Sequence, residues 1–328
     1  MERWTKEEEK YLIDSYKTTM YCDIATVLNK TEGAIRAKCF ELNLVKNSAW
    51  SCDEIEYLKN NYSKKSIKEI AEYLNRTESS VRLKANRNGL KKSPYNCDYD
   101  FFKIIDSEEK AYWLGFIAAD GWVTVNELSN AGTLGIELQY RDINHLKKFN
   151  KSICGNYKID MVDKTCKVSS YPDKVHKICR IRVFSIDMVN DLHKFGITAN
   201  KTYNFHIPNI DESLMRHFIR GYFDGDGCVR IRARKLASGK SIEYPLCDFS
   251  SVDINFLEEL RQYIYYKLGI CSYIYTEKSG CYRLCIHKNE HTVGFLNYLY
   301  NDAATYLDRK YETYLSIVNN TMHESLAN

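Results

Sequence analysis

Two aspartates in this 328-residue chain stand where a helix would not choose to put them. Asp120 closes the stretch YWLGFIAADGWV (112–123) and Asp226 closes FIRGYFDGDGCV (218–229), each at the expected C-terminal end of an apolar helix. There the helix macrodipole repels a carboxylate by roughly 0.3–1 kcal/mol. Each helix also carries a glycine, Gly115 or Gly221, where alanine would be better by about 1 kcal/mol. Four residues after it comes a second small residue, Ala119 or Gly225, so the small residues share one helix face. Two such faces can pack backbone to backbone, which brings both carboxylates together. A pair of acids at adjacent helix ends is unfavourable unless a cation compensates it. Oxygen ligands without His or Cys select a hard ion such as Mg²⁺. A single Asp-Gly after a helix would be an ordinary turn; two copies with matching glycines argue for a site.

The elements around the acids repeat as well. LGIELQYRDINHLKKF (134–149) aligns with LCDFSSVDINFLEEL (246–260), sharing D-I-N-x-L at a strand-to-helix junction and setting Gln139 against Ser250. RIRVFS (180–185) aligns with the alternating strand YRLCIH (282–287), and ITANKTY (197–203) with YLDRKYE (306–312), which superposes Lys201 on Lys310. In VRIRARK (229–235) the alternation predicts Val229, Ile231 and Ala233 on a buried face. Arg230, Arg232 and Arg234 would then face outward, suited to guanine edges or phosphates in a major groove, and Arg180 and Arg182 repeat the device.

The two segments resemble the LAGLIDADG signature, as W-L-G-F-I-A-A-D-G and I-R-G-Y-F-D-G-D-G, and the likeness extends over about residues 101–318. The whole is similar to the single-chain, double-motif LAGLIDADG homing endonucleases. That resemblance implies an α+β fold of two pseudo-symmetric αββαββα halves, 101–208 and 209–328, forming a DNA-binding saddle. It implies that Asp120 and Asp226 hold the metal, with the main-chain carbonyls of Ala119 and Gly225 beside them. By the same resemblance Gln139 positions water, Ser250 stands in its place in the second half, and Lys201 and Lys310 support the site by neutralising charge on the phosphates. The position occupied by Ala118 and Asp224 carries no metal. The implied activity is site-specific double-strand cleavage of DNA by phosphodiester hydrolysis, with Mg²⁺ as cofactor and Mn²⁺ able to substitute. The cuts would be staggered across the minor groove, leaving short 3′ overhangs. An RNA maturase acting on intron RNA, or a non-cleaving DNA-binding regulator, is the alternative; a pure regulator gains nothing from acids facing phosphates.

Before this region, residues 4–44 and 50–90 are one unit written twice, in gapless register from Trp4/Trp50 to Leu44/Leu90. Each copy reads as three short helices, the third capped by Thr31 or Thr77 with an acid next to it. Ile35 and Val81 face the core, and Arg36, Lys38, Arg82, Lys84 and Arg87 are expected to project outward as on a recognition helix. The unit resembles Myb/SANT-like and helix-turn-helix modules through its leading Trp, its I-A-x-x-L-N helix and its basic third helix. Two small three-helix domains, 1–46 and 47–92, and a linker at 93–100 are therefore expected before the two halves.

Composition narrows the class. Residues 1–92 carry 18 Lys and Arg against 14 Asp and Glu, which accounts for the whole net charge of +4. DNA contact must therefore come from local basic stripes and not from a global field. No run of eighteen apolar residues is present, so no membrane partner is expected. Twelve scattered cysteines in so long a chain suit reduced thiols, and Cys281, Cys285, His287 and His291 straddle a strand and its end, so zinc is not expected. The expected setting is the cytoplasm or nucleoid of a host cell, or an organelle, and not the outside of the cell. The chain is expected to act as a monomer. Neither Met1-Glu2-Arg3 nor Leu326-Ala327-Asn328 resembles splice-junction chemistry, which favours an intron-borne or free-standing mobile gene over an intein.

Overall fold

The computed structural model describes residues 4–17, 19–44, 50–63, 65–90, 94–126, 128, 130–165, 175–199, 201–235, 239 and 241–326. Part of the linker expected at 93–100, Ser93, and part of the aligned stretch ITANKTY, Asn200, lie outside the described residues. The chain divides into two compact units, 1–94 and 95–328.

The first unit holds α1 (Lys6–Ser15), α2 (Tyr21–Val27) and α3 (Glu32–Glu41), then α4 (Cys52–Asn61), α5 (Ile67–Tyr73) and α6 (Glu78–Arg87). Thr5 and Ser51 open α1 and α4 with reciprocal capping boxes to Glu8 and Glu54. Thr31 and Thr77 cap α3 and α6 through their hydroxyls. Each copy has its own small core, Leu12, Ile24, Ala25, Ile35 and Cys39 in the first, Leu58, Ile70, Ala71, Val81 and Ala85 in the second.

One expectation about the third helices is corrected. Lys38 does not project outward: it is 8% exposed, its Nζ lies 2.7 Å from Glu9 and 2.8 Å from Glu41, and it stands over the Trp4 ring. Lys84, half-buried, sits likewise over Trp50 beside Arg76. The leading tryptophan of each copy draws these cations inward, because an aromatic face attracts cations, and Glu9 and Glu54 of the first helices pair with Lys38 and Arg76. The face left exposed carries Arg36, Ala37 and Phe40 in α3 and Arg82, Leu83, Asn86 and Arg87 in α6.

The second unit begins with residues that do not behave as a linker. Asn96 N–H donates to the Asn156 side chain, Asp98 N–H donates to the Ile153 carbonyl, and Cys97 is buried. Residues 95–100 thus dock on the first half. That half runs α7 (Glu108–Asp120), β1 (Gly121–Asn126), β2 (Ala131–Gln139), α8 (Ile143–Ser152), β3 (Ile159–Thr165), β4 (Val175–Phe184) and α9 (Ile186–Lys194). The second repeats the order as α10 (Glu212–Asp226), β5 (Gly227–Lys235), β6 (Ser241–Ser251), α11 (Ile254–Leu268), β7 (Tyr273–Thr276), β8 (Tyr282–Ile286) and α12 (Asn289–Tyr300). A further helix, α13 (Asp308–Leu326), follows. The result is the expected α+β fold: two antiparallel four-stranded sheets, ordered β1-β2-β4-β3 and β5-β6-β8-β7.

The helix faces carrying small residues meet at the centre. A Cβ added to Gly115 would fall on the Phe218 carbonyl, and one added to Gly221 would fall on the Tyr112 carbonyl. The approach of α7 to α10 is reciprocal, and each glycine removes the one atom that would prevent it. Around this contact a single core joins both halves, with Tyr112, Trp113, Phe116, Phe218 and Phe223 all buried.

The alternation read from VRIRARK holds only at its start. Val229 packs against the core, whereas Ile231 and Ala233 are exposed.

Replacing Gly221 by alanine is expected to force the helices apart and lower stability by about 3 kcal/mol, the upper range for an overpacked core. Gly294→Ala is the control. Gly294 lies inside α12, its added Cβ would meet nothing closer than 4.0 Å, and alanine there should stabilise by up to about 1 kcal/mol. Chemical denaturation of both variants checks the contrast.

Candidate active site at the paired helix ends

α7 and α10 end on Asp120 and Asp226, and each chain leaves its helix through a glycine at φ −83° and ψ 164°. This is extended backbone, so neither glycine is a left-handed helix stop. Their purpose is steric: a Cβ on Gly121 would strike Ile117, and one on Gly227 would strike Phe223. Without it, helix passes directly into strand, and each aspartate sits at the junction. A Cβ on Gly225 would collide with Ala119 and lie 3.5 Å from the Asp120 carboxyl carbon. The second motif is therefore laid against the first motif's acid.

The electrostatics record that proximity. Burial, and then the charge of Asp226, push Asp120 up from 3.8 to about 6, against the pull of Lys310, Lys201 and Arg309. Burial also raises Asp226, opposed by Lys201, Lys310 and a hydrogen bond from the Tyr222 hydroxyl. The residue matching Tyr222 in the first motif is Phe116, which has no hydroxyl to offer Asp120.

The two lysines occupy positions other than the expected ones facing phosphates. Lys201 is 8% exposed and its Nζ donates to the carbonyls of Ala118 and Ala119. Lys310, at 3%, donates to the carbonyls of Phe223, Asp224 and Gly227. They satisfy the orphan carbonyls at the helix ends, where the dipole is negative. Burial lowers Lys201 and brings Lys310 down to about 8, while the nearby aspartates oppose both shifts. The Ala119 carbonyl, expected beside a metal, thus already accepts a hydrogen bond.

The match of Gln139 to Ser250 is also corrected. Gly121 pairs with Ile136 and Gly227 with Phe249, so the next residues, Glu137 and Ser250, are the true counterparts. Gln139 lies two residues further on, exposed at the end of β2. The difference is absorbed by a short 3-10 turn, Tyr140–Asp142, before α8. The shared D-I-N motif aligned the helices correctly and misaligned the strands before them.

Among the arginines, Arg180 is held by Glu137, with Nε to carboxylate at 2.9 Å, and Arg182 by Asp160 at 3.0 Å. Arg230 is held by Asp248, while Arg232 and Arg234 extend along the exposed end of β5. Arg36 and Arg82 are exposed and pair with Glu32 and Glu78 one turn earlier.

Asp224, which the sequence sets aside as carrying no metal, has a structural part of its own. It is 0% exposed and accepts hydrogen bonds from Tyr112, at 2.7 Å, from Tyr300 and from the Leu307 N–H. Tyr112 belongs to the first half and the other two to the second, so this buried carboxylate ties the halves together and fixes the chain just before Lys310. The available signal was the asymmetry with Ala118 at an otherwise repeated position. Arg283 escapes the sequence alignment because the strands slip by one residue: Arg180 pairs with Glu137, and Arg283 with its counterpart Ser250.

Among the described residues, no three His, Cys, Asp or Glu side chains are grouped to hold a metal ion. The donor set that is present, the half-buried Asp120 and the solvent-accessible Asp226, fits a hard divalent ion only if water and phosphate oxygens complete its shell. No described helix is long and apolar enough to cross a membrane.

Residues 213–300 match the LAGLIDADG-like domain family, so this part of the chain carries that domain. No curated protein matches the chain. Among solved structures, the LAGLIDADG homing endonuclease I-SmaMI bound to cleaved DNA is 13% identical, with a TM-score of 0.46, covering 69% of this chain and 92% of its own. I-SmaMI bound to uncleaved DNA with calcium ions is 12% identical, TM-score 0.47, covering 68% and 93%. The meganuclease I-AabMI bound to uncleaved DNA is 13% identical, TM-score 0.44, covering 65% and 92%. Likenesses at these scores carry no argument about what this chain does.

The raised Asp120 has a measurable consequence. Its carboxyl holds a proton more tightly in the folded chain than in the unfolded one, so stability falls as pH rises from about 4 to about 6. Above pH 6 the ionised group costs about 3 kcal/mol, by conversion of a two-unit shift. In metal-free buffer at pH 7.5, Asp120→Asn should therefore melt higher than the parent chain, and the difference should vanish below pH 4. Melting temperatures across that range check it.

Proposed function

We propose that this chain is a site-specific DNA endonuclease that hydrolyses phosphodiester bonds with a divalent metal, Mg²⁺ or Mn²⁺, and cuts both strands. The observation that carries the reading is the pair of carboxylates brought together at helix ends packed backbone to backbone, between two sheets whose free faces carry arginines. A stable fold alone has no use for such a pair. A bound divalent ion would polarise the scissile phosphate, lower the pKa of an attacking water and stabilise the leaving oxygen. Asp120 and Asp226 would hold it, with the Gly225 carbonyl close by. Lys201 and Lys310 hold the helix-end carbonyls and keep the acids anionic, which prepares the site before DNA arrives. Gln139, exposed at the end of β2, would orient water.

Two acids, one from each half, correspond to one cut per strand. The half-sheets would lie along the DNA as a saddle, with Arg180, Arg182, Arg230, Arg232 and Arg234 toward its grooves. The two three-helix repeats, 1–46 and 47–92, would lengthen the bound site through Arg36, Arg82 and Arg87. Such an enzyme suits a mobile gene that cuts the uninterrupted form of its own insertion site.

The test starts by selecting a target from random-sequence duplex DNA. Asp120→Asn and Asp226→Asn should each reduce cleavage in Mg²⁺ by more than the roughly 100-fold typical of losing an outer-shell partner of a metal. Binding measured in Ca²⁺ should persist. Double-strand cleavage that survives both single substitutions would sink the assignment.

The N-terminal repeats carry a separate expectation. Arg36→Gln combined with Arg82→Gln should weaken binding on all sequences and flatten the salt dependence, by about 0.9 in log–log slope for each phosphate no longer neutralised. Lys38→Gln should instead lower thermal stability without changing that slope, because Lys38 is spent on Trp4 and its acids. Titrations at several salt concentrations separate the two.

A further inference from the structure

The free face of the second sheet holds an arrangement that cleavage itself does not need. Asp248 lies in β6, opposite Cys228 on β5 and Cys285 on β8. Its neighbours Cys247 and Phe249 point into the core, so Asp248 points away from it. A carboxylate on an open sheet face is ordinarily wet, yet this one is 0% exposed.

Two guanidiniums cover it. Arg230 donates Nη2 to one carboxylate oxygen at 2.6 Å, and Arg283 donates Nη1 to the other. Glu277 accepts from Arg283 Nε at 2.5 Å and holds that side chain from its far side. Both arginine side chains keep outward surface, 33% and 22% exposed. Arg230 Nε has no hydrogen-bond partner among the described residues.

Folding does not require this carboxylate. The same register position in the first half is Gly135, covered by the Trp122 ring, and that half forms the same sheet. Nor is stability a sufficient reason, since a desolvated ion pair often does no better than apolar packing of the same shape.

We propose that Asp248 is a specificity-determining residue. It presets Arg230 and Arg283 as a pair of base-reading groups for guanine in the DNA major groove on the second half's side. The inference rests on the DNA-cleaving function proposed above. An arginine matches guanine O6 and N7 with two parallel N–H groups, and one already held by acids loses little freedom on meeting the base. Arg283 is paired with Ser250, one residue beyond the Gly227–Phe249 pair and so level with Asp226. Arg230 is paired with Leu246, four residues further out, or about 13 Å along the strand. At about 3.4 Å per base pair, the bases read lie within about five pairs of the cut. The first half has glycine in place of the acid, so the two sides of the target should differ in sequence.

Selection from a random-sequence duplex library, read for both binding and cleavage, tests this in the full chain. The parent should enrich guanine at one or two positions within about five base pairs of the cut, on one side. Asp248→Asn, Arg283→Gln and Arg230→Gln should each lose about tenfold or more of that preference, with preferences on the other side unchanged. If Asp248→Asn does not fold, the two arginine variants, altered at surface groups, decide the matter. Variants that melt lower yet select the parent's bases would overturn the assignment and leave a structural ion pair. A parent chain that enriches no sequence would overturn both this inference and the endonuclease function.

Discussion

The structure of the second unit depends on one contact, the approach of α7 and α10 at Gly115 and Gly221. Each glycine lies against a carbonyl of the opposite helix, where a Cβ has no space. The geometry of the candidate site follows from that closeness. The helices end side by side, their terminal acids share one small volume, and each sheet departs from the same point through a glycine that permits no side chain. A glycine in mid-helix is locally unfavourable by about 1 kcal/mol, and the chain accepts it twice to obtain this geometry.

Closeness creates an electrostatic problem, and the surrounding residues answer it. Two carboxylates, two negative helix ends and partial desolvation would all favour protonation. Lys201 and Lys310 counter this from within, each donating to helix-end carbonyls while its charge lowers both acids. Asp224 serves a different end. It takes three hydrogen bonds from both halves and orders the segment leading to Lys310. The site is thus costly to the apo fold and prepared in advance for positive charge. Strain of this kind belongs at a functional centre and is unlike the satisfied core around it.

The two halves share topology and differ in chemistry. Phe116 stands against Tyr222, Ala118 against Asp224, Glu137 against Ser250 and Gly135 against Asp248. Each substitution leaves the backbone path intact and alters a hydrogen bond or a charge. A duplicated scaffold that keeps its central acids while its sheet faces diverge fits the asymmetric target proposed above.

Much was legible in the sequence because it depends on residue type at short spacing. The small residues four apart in each motif pointed to the meeting of Asp120 with Asp226, the repeated D-I-N element marked two copies, and the α+β halves followed from the resemblance to the LAGLIDADG signature. The gapless 46-residue repeat likewise marked two three-helix units. Other matters were decided by tertiary structure. Lys38 looks solvent-facing from its neighbours, but the tryptophan just before α1 draws it in. Lys201 and Lys310 could be aligned, yet only packing shows that their ammonium groups are spent on main-chain carbonyls. Register between Gln139, Glu137 and Ser250 could not be read past an insertion, because a strand's partner is set by hydrogen bonds across the sheet and not by distance along the chain. Asp248 and its two arginines come from three different strands. Their charges lie far apart in the sequence, and only the pairing of β5, β6 and β8 places them on one face.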